Sequence, residues 1–276
     1  MDLRAKINSY FPSLTKSEQK VAQRVLDYAD EVVYHSVTEL AEVSDVGETT
    51  VIRFCRKIGF KGYQEFRLAL AQDQTYKKFE ANKQDNVAED FMEAVYSSTL
   101  DVLQVSMKLL DKEKLQQAVQ LLDQARHVQF FGVGSSGISA LDAKNRFLRI
   151  GRRSDAMTDS HMQAMIAATM GGGDVAVGFS VSGSTKDTND ILIQAKKGGA
   201  KVIAVTNYAK SPITAIADIV LLTAGKEAPL DGGSITAKMS QLFVIELLCE
   251  GLALMDPGRA KSMKEKTARS VIDWIY

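Results

Sequence analysis

Apolar positions change their rhythm near the middle of the chain. In the first half they return every three or four residues; from residue 127 onward, short unbroken apolar runs alternate with helical patterns. Thr15-Lys16-Ser17-Glu18 reads as a capping box, and Val21, Ala22, Val25, Leu26 and Ala29 follow at helical spacing. Further helices are predicted over 37–43, over 48–58 and from about residue 63, so residues 1 to about 72 form one helical unit. The stretch 75–86 is polar, lacks Gly and Pro, and reads as a linker or a solvated helix. A long amphipathic pattern over 87–110 (Val87, Phe91, Val95, Val102) precedes a helix ending near residue 125. No Gly or Pro interrupts the chain between Phe66 and Gly132.

Beyond that point strands are predicted over 127–133, 154–158, 175–179, 201–206 and 219–223, with helices near 136–150, 161–170, 186–197, 212–217 and 235–255. Alternation of this kind implies a doubly wound parallel sheet covered on both faces. The fold class is therefore two domains, an all-α helix-turn-helix bundle followed by an α/β doubly wound parallel five-stranded sheet. The expected boundaries are 1–77, a linker with leading helices over 78–124, and 125–276 for the sheet with its C-terminal helices.

Composition narrows the options. The chain has 276 residues, room for about two domains, with 45% hydrophobic and 25% charged residues. No apolar run approaches the roughly 20 residues of a membrane span, and Met1-Asp2-Leu3-Arg4-Ala5-Lys6 lacks an apolar signal core, so a cytoplasmic protein is expected. Cys55 and Cys249 lie within helical patterns and read as buried reduced thiols. His35, His127 and His161 are scattered, so no metal site is expected, and no cofactor. Charge balances at 34 basic against 34 acidic residues, yet Arg53, Arg56, Lys57, Lys61 and Arg67 face only Glu65 within one short stretch. A localised cationic cluster of this kind suits a groove contact.

That cluster falls on a recognisable arrangement. Thr38-Glu39-Leu40-Ala41-Glu42-Val43 forms a short helix, Ser44-Asp45-Val46-Gly47 a turn, and the next helix buries Val51, Phe54, Cys55 and Ile58 on one face. Its other face is expected to present Glu48, Thr49, Thr50, Arg53, Arg56 and Lys57 to the major groove of double-stranded DNA. Arg53 is the first candidate for a base or phosphate contact. Thr49 and Thr50 suit base edges or thymine methyls, and Lys57 and Lys61 suit phosphate. A protein-binding bundle is the alternative, and the cationic face favours DNA. Residues 1–75 resemble the N-terminal domain of RpiR-type bacterial transcription regulators. The likeness runs through Val51-Ile52-Arg53-Phe54-Cys55-Arg56-Lys57-Ile58-Gly59-Phe60-Lys61-Gly62-Tyr63 and Leu14-Thr15-Lys16-Ser17-Glu18. Gly47 stands where that family usually has serine, a change costing a few tenths of a kcal/mol; Thr49 replaces a small alanine.

Two serine- and glycine-rich segments carry the remaining chemistry: Gly132-Val133-Gly134-Ser135-Ser136-Gly137 and Ser180-Val181-Ser182-Gly183-Ser184-Thr185. Each follows a predicted strand and leads into a helix, where backbone N–H groups and the dipole favour an anion. The first also spells G-x-G-x-x-G, and Asp155 lies twenty-three residues after Gly132, so a dinucleotide site must be weighed. The second hydroxyl cluster has no place in such a site. Residues 125 to about 258 instead resemble the sugar isomerase (SIS) fold, a flavodoxin-like phosphosugar-binding domain. That resemblance implies that Ser135, Ser136, Ser180, Ser182 and Thr185 hold a phosphate, with Gly134, Gly183 and Ser184 in the same motifs. His161 and Lys238 are further candidates for sugar and phosphate contact.

SIS domains also occur in aldose–ketose isomerases, for which Glu227 in Lys226-Glu227-Ala228-Pro229-Leu230 would be the base. No histidine follows His161 to assist ring opening, and Ser184 stands where several relatives carry glutamate. The expectation is a regulator with no catalytic residue. It would be a homodimer or homotetramer that represses its operator and responds to a phosphorylated sugar or amino sugar.

Overall fold

The computed structural model describes residues 3–82, 91–225, 230 and 235–274. Two compact units emerge, one from the chain up to Ser97 and the other from 98–225 together with the chain from Ile235.

The first unit contains α1 (Leu3–Tyr10), α2 (Lys16–Asp27), α3 (Ala29–Val32), α4 (Val37–Val43), α5 (Glu48–Lys57) and α6 (Tyr63–Asn82). Their apolar faces meet in a core that includes Ile7, Val21, Leu40, Val51, Phe54, Ile58, Phe66 and Leu70. Phe66 receives Phe54 edge-on at 5.6 Å and Phe60 at 5.7 Å between ring centres, contacts worth about 0.5–1.5 kcal/mol each. Capping boxes open α2 and α4, through Thr15 with Glu18 and Ser36 with Glu39. Between α4 and α5 the chain reverses at Asp45, whose φ of +52° a short polar side chain tolerates. Val46 N–H then closes onto the Ala41 carbonyl at 2.9 Å. This is the expected helix-turn-helix. The single turn of α3 shows no periodicity in the sequence because four residues are too few to display one. α6 extends to Asn82 and takes in much of the stretch read as a linker or solvated helix.

α7 (Phe91–Leu109) follows; Val87, with which its pattern was expected to open, lies outside the described residues. α8 (Lys112–Gln124), the helix expected to end near residue 125, buries Ala118, Val119 and Leu122 in the core of the second unit.

In the second unit β1 (His127–Phe131), β2 (Ser154–Ala156), β3 (Asp174–Phe179), β4 (Lys201–Thr206) and β5 (Ile219–Leu222) form one sheet, ordered β2-β1-β3-β4-β5. All pairs are parallel. α9 (Gly134–Arg149), α13 (Ile235–Met255) and α14 (Pro257–Arg269) contribute with α8 to the core on one face. α10 (Ser160–Thr169), α11 (Lys186–Lys197) and α12 (Pro212–Ile216) cover the other. Strand order reverses between β1 and β3, so α9 and α11 leave neighbouring strand ends toward opposite faces. Crevices at such a switch point are where doubly wound sheets bind ligands, and both serine-rich segments lie there. No helix among the described residues is long and apolar enough to cross a membrane.

Candidate functional site

α9 begins two residues earlier than the sequence suggests, at Gly134, so Ser135 and Ser136 sit in its first turn rather than in a loop. Gly134 adopts φ +56°, which favours glycine. Gly132 is required for a different reason: a Cβ there would lie 2.8 Å from the Ser136 carbonyl oxygen. Val133 precedes the helix without offering a side-chain cap, leaving first-turn N–H groups for another partner. The buried Ser136 hydroxyl accepts from Gln241 Nε2 at 3.1 Å, and Ser135 is half-buried. From α10, Gln163 Nε2 donates to the Gly132 carbonyl at 2.9 Å.

The second segment is pinned from beneath. Gly183 takes φ +62°, and a Cβ on it would sit 2.1 Å from Ser211 Oγ. Its carbonyl accepts from Ile213 N–H at 2.9 Å and Asn189 Nδ2 at 3.2 Å. Ser180 and Thr185 hydroxyls meet at 3.1 Å. Ser182 Oγ accepts from Ser184 N–H at 3.2 Å, while the Ser184 hydroxyl donates back to the Ser182 carbonyl at 3.3 Å. Part of this hydroxyl set therefore holds the loop's own shape. Thr185 precedes α11 yet gives it no side-chain cap. By contrast α2, α4, α8, α10 and α14 are each capped by a Thr, Ser or Asp side chain. α9 and α11 thus present two bare helix starts, rimmed by hydroxyls, at adjacent strand ends.

This arrangement favours a small dianion held by neutral donors. Lys186, next to the second segment, is exposed and directs its ammonium to Asp190 at 2.6 Å. Lys238 is half-buried in the first turn of α13, and His161 is exposed in the first turn of α10. Asp155, the acid that a dinucleotide site would need, instead pairs with Lys144 at 2.8 Å. That hydrogen bond holds its carboxyl below the usual range. Glu227 lies outside the described residues. Burial pushes the Cys55 and Cys249 thiols up to about 12, and both are free. A cavity of about 290 Å³ in the first unit is lined by Asp27, Asp30 and Asp73 against the single cation Arg4, a net negative charge that disfavours phosphate.

On α5, Glu48, Thr49, Arg53, Arg56 and Lys57 are exposed, as is Lys61 beyond it. Thr50 departs from the expected face. It is 7% exposed, and its hydroxyl accepts from Arg53 at 3.2 Å, so it steadies the guanidinium from below. Arg67 departs too: it is 5% exposed and its Nε donates to the Val33 carbonyl at 2.8 Å, within the bundle. Lys57 is engaged on two sides, by the Ser13 carbonyl at 2.6 Å and Glu18 at 3.1 Å. Arg56 Nε donates to the Lys61 carbonyl at 3.3 Å. Of the five basic residues that define the cluster in the sequence, Arg53, Arg56 and Lys61 offer the most open cationic surface.

Sequence reasoning missed Gln163, Asn189 and Gln241, polar residues on buried helix faces that bond to the two segments. For Gln163 and Gln241 the legible signal was an amide group beside apolar neighbours, whereas Asn189 stands in the polar first turn of α11 and gave none.

Residues 1–77 match the helix-turn-helix domain of the rpiR family, and residues 121–251 match the SIS domain. An HTH-type transcriptional regulator of Haemophilus influenzae is 38% identical over 97% of this chain and 96% of its own length. The chain belongs to the RpiR family. HexR, an HTH-type transcriptional regulator of Pseudomonas aeruginosa, is 33% identical to this RpiR-family chain over 92% of it and 90% of HexR. The structure of Vibrio vulnificus NanR complexed with ManNAc-6P superposes with a TM-score of 0.91 at 31% identity, covering 99% of both chains. The RpiR-family protein is accordingly a transcriptional regulator with a helix-turn-helix and a SIS domain.

Proposed function

We propose that this regulator is a cytoplasmic homodimer or homotetramer that binds double-stranded operator DNA through α5. In this reading it represses genes of sugar or amino-sugar metabolism until a phosphorylated sugar enters the crevice. The observation that carries the reading is the pair of bare helix starts, α9 and α11, rimmed by Ser135, Ser136, Ser180, Ser182, Ser184 and Thr185. The similarity to a regulator solved with ManNAc-6P supports an effector of that class. The crevice acts as a sensor, not as an isomerase site.

Response to the effector requires tighter binding to one arrangement than the other, and a coupling of about 1–3 kcal/mol suffices. A hydrogen-bonded path leads from the second segment toward α7. The Val181 carbonyl accepts from Asn207 N–H at 3.1 Å and the Thr206 hydroxyl at 3.2 Å. Thr223 binds both those residues, its N–H reaching the Thr206 carbonyl at 2.9 Å and its hydroxyl reaching Asn207 Oδ1 at 2.5 Å. The next residue, Ala224, donates its N–H to the buried Ser106 hydroxyl on α7 at 2.9 Å.

One set of variants tests the reading, with DNA binding measured by fluorescence anisotropy and effector binding by thermal shift across a sugar-phosphate panel. Arg53→Ala loses about ten- to a hundredfold in operator affinity while effector binding stays intact. Ser180→Ala with Ser182→Ala loses the effector response but keeps DNA binding. Ser106→Ala keeps both affinities and shrinks the effect of one ligand on the other. Turnover of a hexose or pentose phosphate that disappears in Glu227→Gln would instead establish an isomerase.

A further inference from the structure

We infer that Gln241 is a positioning residue of the phosphate crevice, holding the Ser136 hydroxyl so that its proton points at the bound anion. The inference rests on the phosphate reading of the two segments.

Gln241 is 1% exposed on α13, amid the buried Ala237, Val244, Ile245 and Leu248. A primary amide in such surroundings costs several kcal/mol unless it is hydrogen-bonded, and both of its ends are. Its Oε1 accepts the Ser139 hydroxyl at 2.7 Å, and its Nε2 donates to Ser136 Oγ at 3.1 Å. Ser139 therefore spends its proton on the amide oxygen, and the two separations match the usual lengths of an O–H···O and an N–H···O bond. Ser136 Oγ receives an amide proton and keeps its own to give. A helical serine ordinarily turns that proton back to the carbonyl three or four residues earlier. Here each of those carbonyls already has a donor, Gln163 Nε2 on Gly132 O at 2.9 Å and Gly137 N–H on Val133 O at 3.3 Å, so a proton turned back would have to share its acceptor. Ser136 lies in the first turn of α9, where the N–H groups carry no side-chain cap. A proton delivered there joins the same donor set. The line Ser139 to Gln241 to Ser136 thus runs one way, each donor strengthening the next, and it ends at the anion. No net charge is buried in the process.

The test uses full-length protein, with inorganic phosphate as the probe and affinity read by phosphorus NMR titration. Gln241→Glu keeps shape and volume but, when ionised, only accepts hydrogen bonds. It takes protons from both serines and reverses Ser136. The expected ratio of variant to wild-type Kd is tenfold or more at pH 8.5, falling toward unity at pH 5.5 as the carboxyl regains a proton. Taking the ratio at each pH cancels the titration of phosphate itself. Repulsion between the new carboxylate and the anion adds to that ratio, so the neutral Gln241→Met variant decides the assignment. Its cost should disappear in a Ser136→Ala background, whereas the cost of a packing role would persist there. Gln241→Met, which leaves the hydroxyl free to rotate, costs three- to tenfold at both pH values and covers the case in which the glutamate variant does not fold. Wild-type affinity in Gln241→Met, or a Gln241→Glu ratio that stays constant with pH, overturns the inference and leaves the crevice reading intact. Failure of the wild-type protein to bind phosphate at all overturns both.

Discussion

On α5 the proposed phosphate ligands are guanidinium and ammonium groups held out in water, whereas at α9 and α11 they are neutral N–H and O–H groups sunk among strand ends. The contrast follows from what each unit has to hold. Duplex DNA offers a line of singly charged phosphates with mobile counterions, and long flexible cations exploit counterion release at little cost in precision. A sugar phosphate carries one compact dianion, which fixed dipoles can enclose without burying an opposing charge. The difference also governs how each site is supported. Arg53 needs one brace, the Thr50 hydroxyl, but the crevice needs Gln241, Gln163, Asn189 and Ser211 beneath it.

Gly183→Ala breaks the comparison most sharply. Its Cβ must displace Ser211, and its φ of +62° is strained for alanine; such backbone strain costs about 1–3 kcal/mol before the clash is counted. Effector binding is expected to vanish from calorimetric titration, while operator affinity stays within about threefold of wild type. Loss of both would show that the two sites are not separately built.

A salt series gives the next largest effect. Between 50 and 200 mM salt, operator affinity should fall by at least tenfold, as expected for several phosphate contacts, while effector affinity changes by less than threefold. Equal salt slopes would erase the distinction between charged and neutral donors.

The smallest effect belongs to the capping box of α2. Burial pushes the Glu18 carboxyl up, but hydrogen bonds from Thr15 and Lys57 outweigh it and hold the group below its ordinary range. Stability from this source is therefore fully present above the ordinary carboxylate range of about 4.3. It fades as pH falls through the lower folded value. Glu18→Gln should lower the melting temperature of the first unit near neutrality, and the gap to wild type should close on acidification toward pH 3. A gap that widens with acid would contradict the sign.

Much of this molecule was legible in local sequence. Thr15 and Glu18 announced a helix start because a capping box needs only residues three apart. Strand runs and helical periods fixed the class of each domain, and two serine-rich segments after apolar runs marked the crevice. Side-chain direction was far less legible at Thr50, Arg67 and Lys57. All three stand in a cationic stretch, and a helical wheel places Thr50 near the edge of the polar face. Thr50 faces inward, Arg67 is claimed by the Val33 carbonyl, and Lys57 is drawn to Glu18, thirty-nine residues earlier.

The amino-acid order alone determined most of the segments that become helices or strands, the capping box that opens α2, and which residue types stand at the strand ends, because each depends on contacts within a few residues. Only the tertiary structure decided which hydroxyls and cations remain available. Gln241 reaches Ser136 across 105 positions of chain, and a partner so distant leaves no periodic trace. The direction of a proton or a guanidinium is set by whatever the fold packs beside it.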